Sequence, residues 1–216
     1  MDANGKTLTL AVLKFEKYQP ASQADHLKDF SPEDLQPIRS RLASGWKSRV
    51  TRDQERAIND YVTEPAINAK LRTKPDLSSL SLEELEQFES VEQSIALAGK
   101  RSEVTVMWRG VHPNFYQSTL RALAKSLDED RPFREHGIQS YSIQPSVAGF
   151  IAGEKGLVLE LRSRSGIYVS DLANGNEEEV LMSHFARYKV VEFIRGVIIA
   201  NEYGEKVSVT LARLKE

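Results

Sequence analysis

Apolar residues in the first hundred positions recur at helical spacing. Ser31-Pro32-Glu33-Asp34 reads as a helix start, with Ser as the cap, Pro at the first helical position and acids in the first turn. Leu35, Ile38 and Leu42 then fall on one face. Thr51 can cap a second helix over 52–61, with Ala57, Ile58 and Tyr61 facing inward. A short third helix holds Ala66, Ile67, Asn68, Leu71 and Arg72, and 76–81 is a connector after Pro75. Ser81 opens a longer helix whose stripe is Leu82, Leu85, Phe88, Val91 and Ile95, with Gly99 as its stop. Before these lies one apolar segment, 8–15.

After Lys100 the period changes. Residues 104–108 alternate and are rich in β-branched side chains. A helix is predicted over 113–127, an extended segment over 138–142 and a short helix over 147–151. Strands are predicted at 157–161, 166–169 and 179–182, with a turn at 174–176. Two last strands, 189–199 and 206–214, form a hairpin across 201–204. Helices first and short antiparallel strands later predict an α+β fold. The predicted division is an N-terminal, partly helical extension, 1–45, and one catalytic domain, 46–216.

Composition narrows the function. With 216 residues, 40% hydrophobic and 28% charged, the chain has an ordinary globular make-up, and its net charge of −2 gives no basic field for DNA. The absence of cysteine excludes disulfides, thiolate metal sites and cysteine nucleophiles. His26, His112, His136 and His184 show no close metal-ligand spacing, so no metal is expected. No signal pattern or membrane-length apolar run is evident, so the expected setting is cytoplasmic, without a membrane partner.

The acidic run Glu177-Glu178-Glu179, followed by Val180-Leu181-Met182, is the first chemical lead. Taken alone, a charge run of this kind reads as a solvated turn entering a strand. On a strand, Glu177 and Glu179 would share a face with Glu178 on the other, and burial would raise the pKa of at least one. Trp108-Arg109-Gly110 ends an apolar strand. Its Arg is either an edge residue beside a turn glycine or a phosphate-gripping fork, with Gly admitting a ligand to the backbone. Ser140-Tyr141-Ser142 carries little information by itself.

In this order the motifs resemble those of mono-ADP-ribosyltransferases whose signature is Arg, then Ser-x-Ser, then Glu-x-Glu. Trp108-Arg109-Gly110, Ser140-Tyr141-Ser142 with Ala148-Gly149-Phe150, Glu177-Glu178-Glu179-Val180-Leu181 and Tyr188-Lys189-Val190 are similar to the family's motifs. So are Ala57-Ile58-Asn59-Asp60-Tyr61 and Ile67-Asn68-Ala69-Lys70-Leu71-Arg72 in the helical half. Tyr141 departs from the usual Thr, and Tyr61-Val62-Thr63 from the usual Tyr-Thr-Gly.

The resemblance implies helices packed on two short antiparallel sheets, and NAD as a consumed substrate with no prosthetic group. Glu179 would stabilise oxocarbenium character on the ribose, as carboxylates do in glycoside hydrolysis. Arg109 would hold the pyrophosphate or the adjacent ribose, and Ser140 would orient Glu179. Gly110, Asn68, Arg72, Ser142 and Phe150 complete the implied NAD site. Glu177 would act on the acceptor, and the Glu-x-Glu form implies arginine as that acceptor. Tyr168, in the stretch 161–177 leading into the catalytic strand, is the candidate for target recognition. The implied partner is a target protein such as a host RNA polymerase, a ribosomal protein or actin, with NAD-capped RNA an alternative donor. Small phage enzymes of the Mod type and bacterial toxins or effectors share this pattern, which would place the protein in a host cytoplasm. Other readings are an inactive NAD- or partner-binding module of the same fold, a glycosidase, and a soluble α+β domain. Two carboxylates on one strand are poorly placed to flank a sugar from both sides.

Overall fold

The computed structural model describes residues 18–20, 26–64, 66–172, 177–200 and 204–216. The apolar segment 8–15 and the turn 174–176 lie outside them, as does most of 201–204. Local signals set the helices. Helix α1, Pro32–Ala43, starts where the Ser31 hydroxyl accepts from the Asp34 N–H. Helix α2, Arg52–Thr63, is opened by a capping box between Thr51 and Gln54, and α3 is Ala66–Thr73. Helix α4, Leu82–Ala98, has the same device in Ser81 and Glu84, and Gly99 ends it at φ +65°. The connector before it holds a 3-10 turn, Leu77–Ser79. Leu82, expected in the buried stripe, is exposed, because the first turn of α4 precedes its contact with the core.

Nine strands among the described residues form one hydrogen-bonded sheet. They are β1 (Tyr18–Pro20), β2 (His26–Lys28), β3 (Thr105–Val111), β4 (Gln139–Ser142), β5 (Leu157–Ser163), β6 (Ile167–Tyr168), β7 (Glu179–Met182), β8 (Lys189–Ala200) and β9 (Lys206–Lys215). Their order is β1-β8-β9-β5-β3-β4-β7-β6, with β2 also on β8. The expectation of two antiparallel sheets changes in two ways. The two parts are continuous, joined where β3 meets β4 at the single pair Trp108↔Ser142. Moreover, β1 and β2 run parallel to β8, and β5 parallel to β9. Helix α5, Tyr116–Asp128, follows β3 after a 3-10 turn, and α6, Pro145–Ala152, follows β4.

Three apolar clusters hold the layers together by removing their surfaces from water. Leu35 and Leu42 of α1 and Leu123 of α5 meet Met107, Leu159 and Phe193 of the sheet. Ile58, Tyr61, Ile67, Leu71 and Phe88 of α2–α4 meet Ile138, Ile167 and Leu181. Ala148 and Ala152 of α6 meet Trp108, Val158, Ile194 and Leu211. The described residues before 46, expected as part of an extension, thus share both the sheet and the core. No helix among the described residues is long and apolar enough to cross a membrane.

Candidate active site

A cleft of about 350 Å³ opens at the one-pair junction of β3 and β4. Arg109 and Gly110 of β3, Ser140 and Ser142 of β4, and Glu177 line it. Three motifs far apart in sequence therefore converge because β3, β4 and β7 are neighbours.

The Arg109 side chain is 13% exposed, and its Nη1 donates to the Ser140 carbonyl at 2.9 Å. Its Nε lies 3.3 Å from Glu135 Oε2, an ion pair without hydrogen-bond alignment that leaves both buried atoms unsatisfied. Burial works against the Arg109 charge, but Glu135 and then Tyr141 and Tyr61 outweigh it, so its pKa is raised. The Arg109 guanidinium lies at the wall of the cleft, where its remaining N–H groups suit a phosphate oxygen. Arg134 also lines the cleft, with its guanidinium over the Phe185 ring. Arg72 lies at the rim over Phe115. Although Arg72 is exposed as a residue, desolvation and then repulsion from Arg109 lower its guanidinium pKa. Burial, then Arg134, lowers the pKa of the neighbouring His136 and His184, that of His184 to about 4, so they stay neutral and the arginines supply the positive charge.

The acidic run divides at the start of β7. Glu179 is 8% exposed and is not among the residues that line the cleft, with the Ser140 side chain near enough to favour its ionised form. Burial raises its pKa, Ser140 opposes the rise, Glu177 adds to it and Arg109 works against it. Glu177 is exposed at the cleft mouth. The strand begins only at Glu179, and Glu178 has φ +50°, so the expected strict alternation across the run does not hold. Ser142 fixes this turn: its hydroxyl donates to the Glu177 carbonyl at 2.6 Å and accepts from the Gln144 N–H.

Other expected residues are placed differently. Gly110 lines the cleft, but β3 continues to Val111, so this glycine makes no turn. A Cβ there would stand 2.2 Å from the Ala148 carbonyl oxygen, so Gly110 is where α6 approaches the strand. Asn68 is buried away from the cleft lining and donates to the Ile138 carbonyl at 2.9 Å. Phe150 is 88% exposed and does not line the cleft. Tyr168, taken as an exposed candidate for target recognition, is 2% exposed and belongs to the core, with its hydroxyl on Glu178. Glu135, Arg134 and Arg39 carry no motif that marks them in the sequence. Arg134 and Glu135 lie in a mixed-charge run that reads as a solvated connector, and Arg39 meets Glu178 across 139 positions. Among the described residues no group of three or more His, Asp or Glu side chains could hold a metal ion.

A model of the ADP-ribosyltransferase exoenzyme family matches residues 38–215. Among solved structures, an ADP-ribosyltransferase toxin from Paenibacillus larvae is similar with a TM-score of 0.63 at 18% identity, covering 84% of this chain and 95% of that one. An ADP-ribosyltransferase from Clostridium botulinum gives 0.62 at 15%, covering 88% and 99%. The C3 exoenzyme of Clostridium limosum gives 0.60 at 16%, covering 89% and 99%. No curated protein matches the chain at a significant level. At these identities the structures speak to the fold, and the family match speaks to kinship. With most of its length inside the family model, the chain belongs to the ADP-ribosyltransferase exoenzymes.

Proposed function

We propose that the protein cleaves NAD between nicotinamide and ribose and transfers the ADP-ribose to an arginine side chain of a target protein in a host cell. The observation that carries this reading is the division of the two glutamates, Glu179 buried beside Ser140 and Glu177 exposed at the mouth of an arginine-walled cleft. Arg109 binds the pyrophosphate through its guanidinium at the cleft wall, with Arg72 and Arg134 adding positive charge. Ser140 orients Glu179, whose carboxylate stabilises the oxocarbenium character that develops as the C1′–N bond breaks. The electron pair of that bond leaves with nicotinamide. A guanidinium stays protonated at neutral pH, so the acceptor needs a carboxylate to bind it and take its proton as the new C1′–N bond forms. Glu177 fills that role. Ser142 and Gly110 shape the cleft, while Asn68, Phe150 and Tyr168 are assigned no direct contact with the reacting groups.

The test is a pair of rates, nicotinamide release and transfer of labelled ADP-ribose to a guanidino acceptor. Glu179→Ala should lower both by ~10²–10⁴-fold, the usual worth of a positioned catalytic group. Glu177→Gln should keep nicotinamide release and lose transfer. Equal loss of both rates in Glu177→Gln would remove the division of labour.

A further inference from the structure

The middle glutamate of the acidic run is the best-held side chain around the site, yet the chemistry above does not use it. Arg39 of α1 donates from Nε to Glu178 Oε2 at 2.8 Å and from Nη2 to Oε1, a two-pronged fork across 139 positions. The Tyr168 hydroxyl donates to the same Oε2 at 2.7 Å. Glu178 is 13% exposed and Arg39 32%, so the pair is partly shielded from water. Glu178 also adopts φ +50°, a conformation that a side chain other than glycine seldom takes without being held there.

We propose that Arg39, Glu178 and Tyr168 form a clamp that holds Glu177 at the cleft mouth, making Arg39 and Tyr168 positioning residues for the transfer step. This rests on the reading of Glu177 as the acceptor-side carboxylate. The two functional glutamates are fixed by different means. Glu179 sits in the β-ladder opposite Ser142, its N–H donates to the Ser170 hydroxyl, and its carbonyl accepts from the Val169 N–H. Glu177 precedes the strand, and its carbonyl accepts from the Ser142 hydroxyl. The direction in which it leaves that point depends on the turn at Glu178, which the clamp sets. Helix α1 is a firm base for the clamp, because Leu35 and Leu42, one turn before and one turn after Arg39 on the adjoining face, are buried in the core. Loss of the clamp therefore frees Glu177 more than Glu179.

The clamp is tested in the full chain by measuring nicotinamide release, transfer to agmatine and thermal unfolding for Arg39→Ala, Arg39→Lys, Glu178→Gln and Tyr168→Phe. In Arg39→Ala and Glu178→Gln the ratio of transfer to release should fall by roughly 10-fold to 100-fold, the scale expected when a reacting group is displaced by about an ångström. Arg39→Lys keeps the charge but not the fork, and should fall between these and the wild type. Tyr168→Phe removes a single hydroxyl, should remain folded and should lower the ratio by a smaller factor. A purely structural role would reduce both rates together and leave the ratio alone, and that result overturns the clamp. Should Arg39→Ala fail to fold, an unchanged ratio in Tyr168→Phe and Glu178→Gln overturns it equally. Nicotinamide release by the wild type without any transfer to agmatine would instead reject arginine as the acceptor, and the clamp with it.

Discussion

Burial and the neighbouring Glu177 raise the pKa of Glu179 against the pull of Ser140 and Arg109, and catalysis asks for its ionised form. The pH profile of nicotinamide release should therefore have an acidic limb above the ordinary glutamate range, the rate falling as pH drops through the raised pKa. Glu177→Gln takes away one repelling charge and should move that limb to lower pH; a limb that stays in place would assign the titration to another group. The same shift has a sign for stability. The folded-state pKa lies above the unfolded one, so the folded protein binds the proton more tightly. The ionised carboxylate is then a net cost to folding that grows as pH rises through the unfolded and then the folded pKa. Glu179→Gln should unfold at a higher temperature than the wild type at pH 7, and the gain should vanish below about pH 4, where both states of the wild type are protonated. A lower unfolding temperature at pH 7 would show that the ionised side chain stabilises the fold on balance. Of the residues around this carboxylate, Arg109, Ser140 and Glu177 stand out in the sequence because each lies in a short motif with a fixed order. Glu135 and Arg39 do not, since an ion pair between distant segments leaves no local pattern.

Helix α6 and strand β3 meet at Gly110, and their contact shapes the cleft. A Cβ at this position would lie 2.2 Å from the Ala148 carbonyl oxygen, 2.7 Å from Ile151 Cβ and 2.9 Å from the Ala152 nitrogen. Two of these atoms are backbone, so Gly110→Ala can be accommodated only by moving the helix. The expected cost is about 1–3 kcal/mol, read from the urea midpoint. Val147, Ala148 and Ile151 of α6 line the cleft, so KM for NAD should rise as well. A midpoint equal to that of the wild type would mean that the helix and strand are not held as closely as they stand here. From the sequence this glycine reads either as a turn or as a place where a ligand nears the backbone, whereas close approach of a second element cannot be seen locally. The helices were more legible. Ser31, Thr51 and Ser81 all cap as their neighbours suggest, because a cap and an apolar stripe lie within a few residues of each other. Strand partners were less so. The parallel pairing of β1 and β2 with β8 joins the two ends of the chain, and three-residue strands carry too little alternation to announce themselves.

At the scale of the molecule, the question is where the catalytic unit begins. Sequence pattern places a boundary near residue 45, because the helical motifs similar to the family's start after it. The packing joins the earlier residues to the site by several routes. The Phe30 N–H donates to Gln144 Oε1 at 2.8 Å, and its ring lies 6.1 Å from that of Trp108. The Asp29 carboxylate accepts from the Ser146 N–H at 2.9 Å, at the start of α6. Leu35 and Leu42 are buried with Phe193 and Leu214 of the sheet, and Arg39 holds Glu178. Removing a buried leucine side chain typically costs about 2–5 kcal/mol, and two such losses approach the roughly 5–15 kcal/mol that holds an ordinary domain together. A fragment beginning at residue 46 should therefore lack a cooperative urea transition and a near-ultraviolet circular dichroism signal, while the full chain should show both. A cooperative transition at an unchanged midpoint in the fragment would restore the boundary at 45 and leave α1 as a separable arm. Loss of cooperativity would instead make α1 part of the catalytic fold, with the turn that carries Glu177 braced from a helix that precedes all three catalytic motifs.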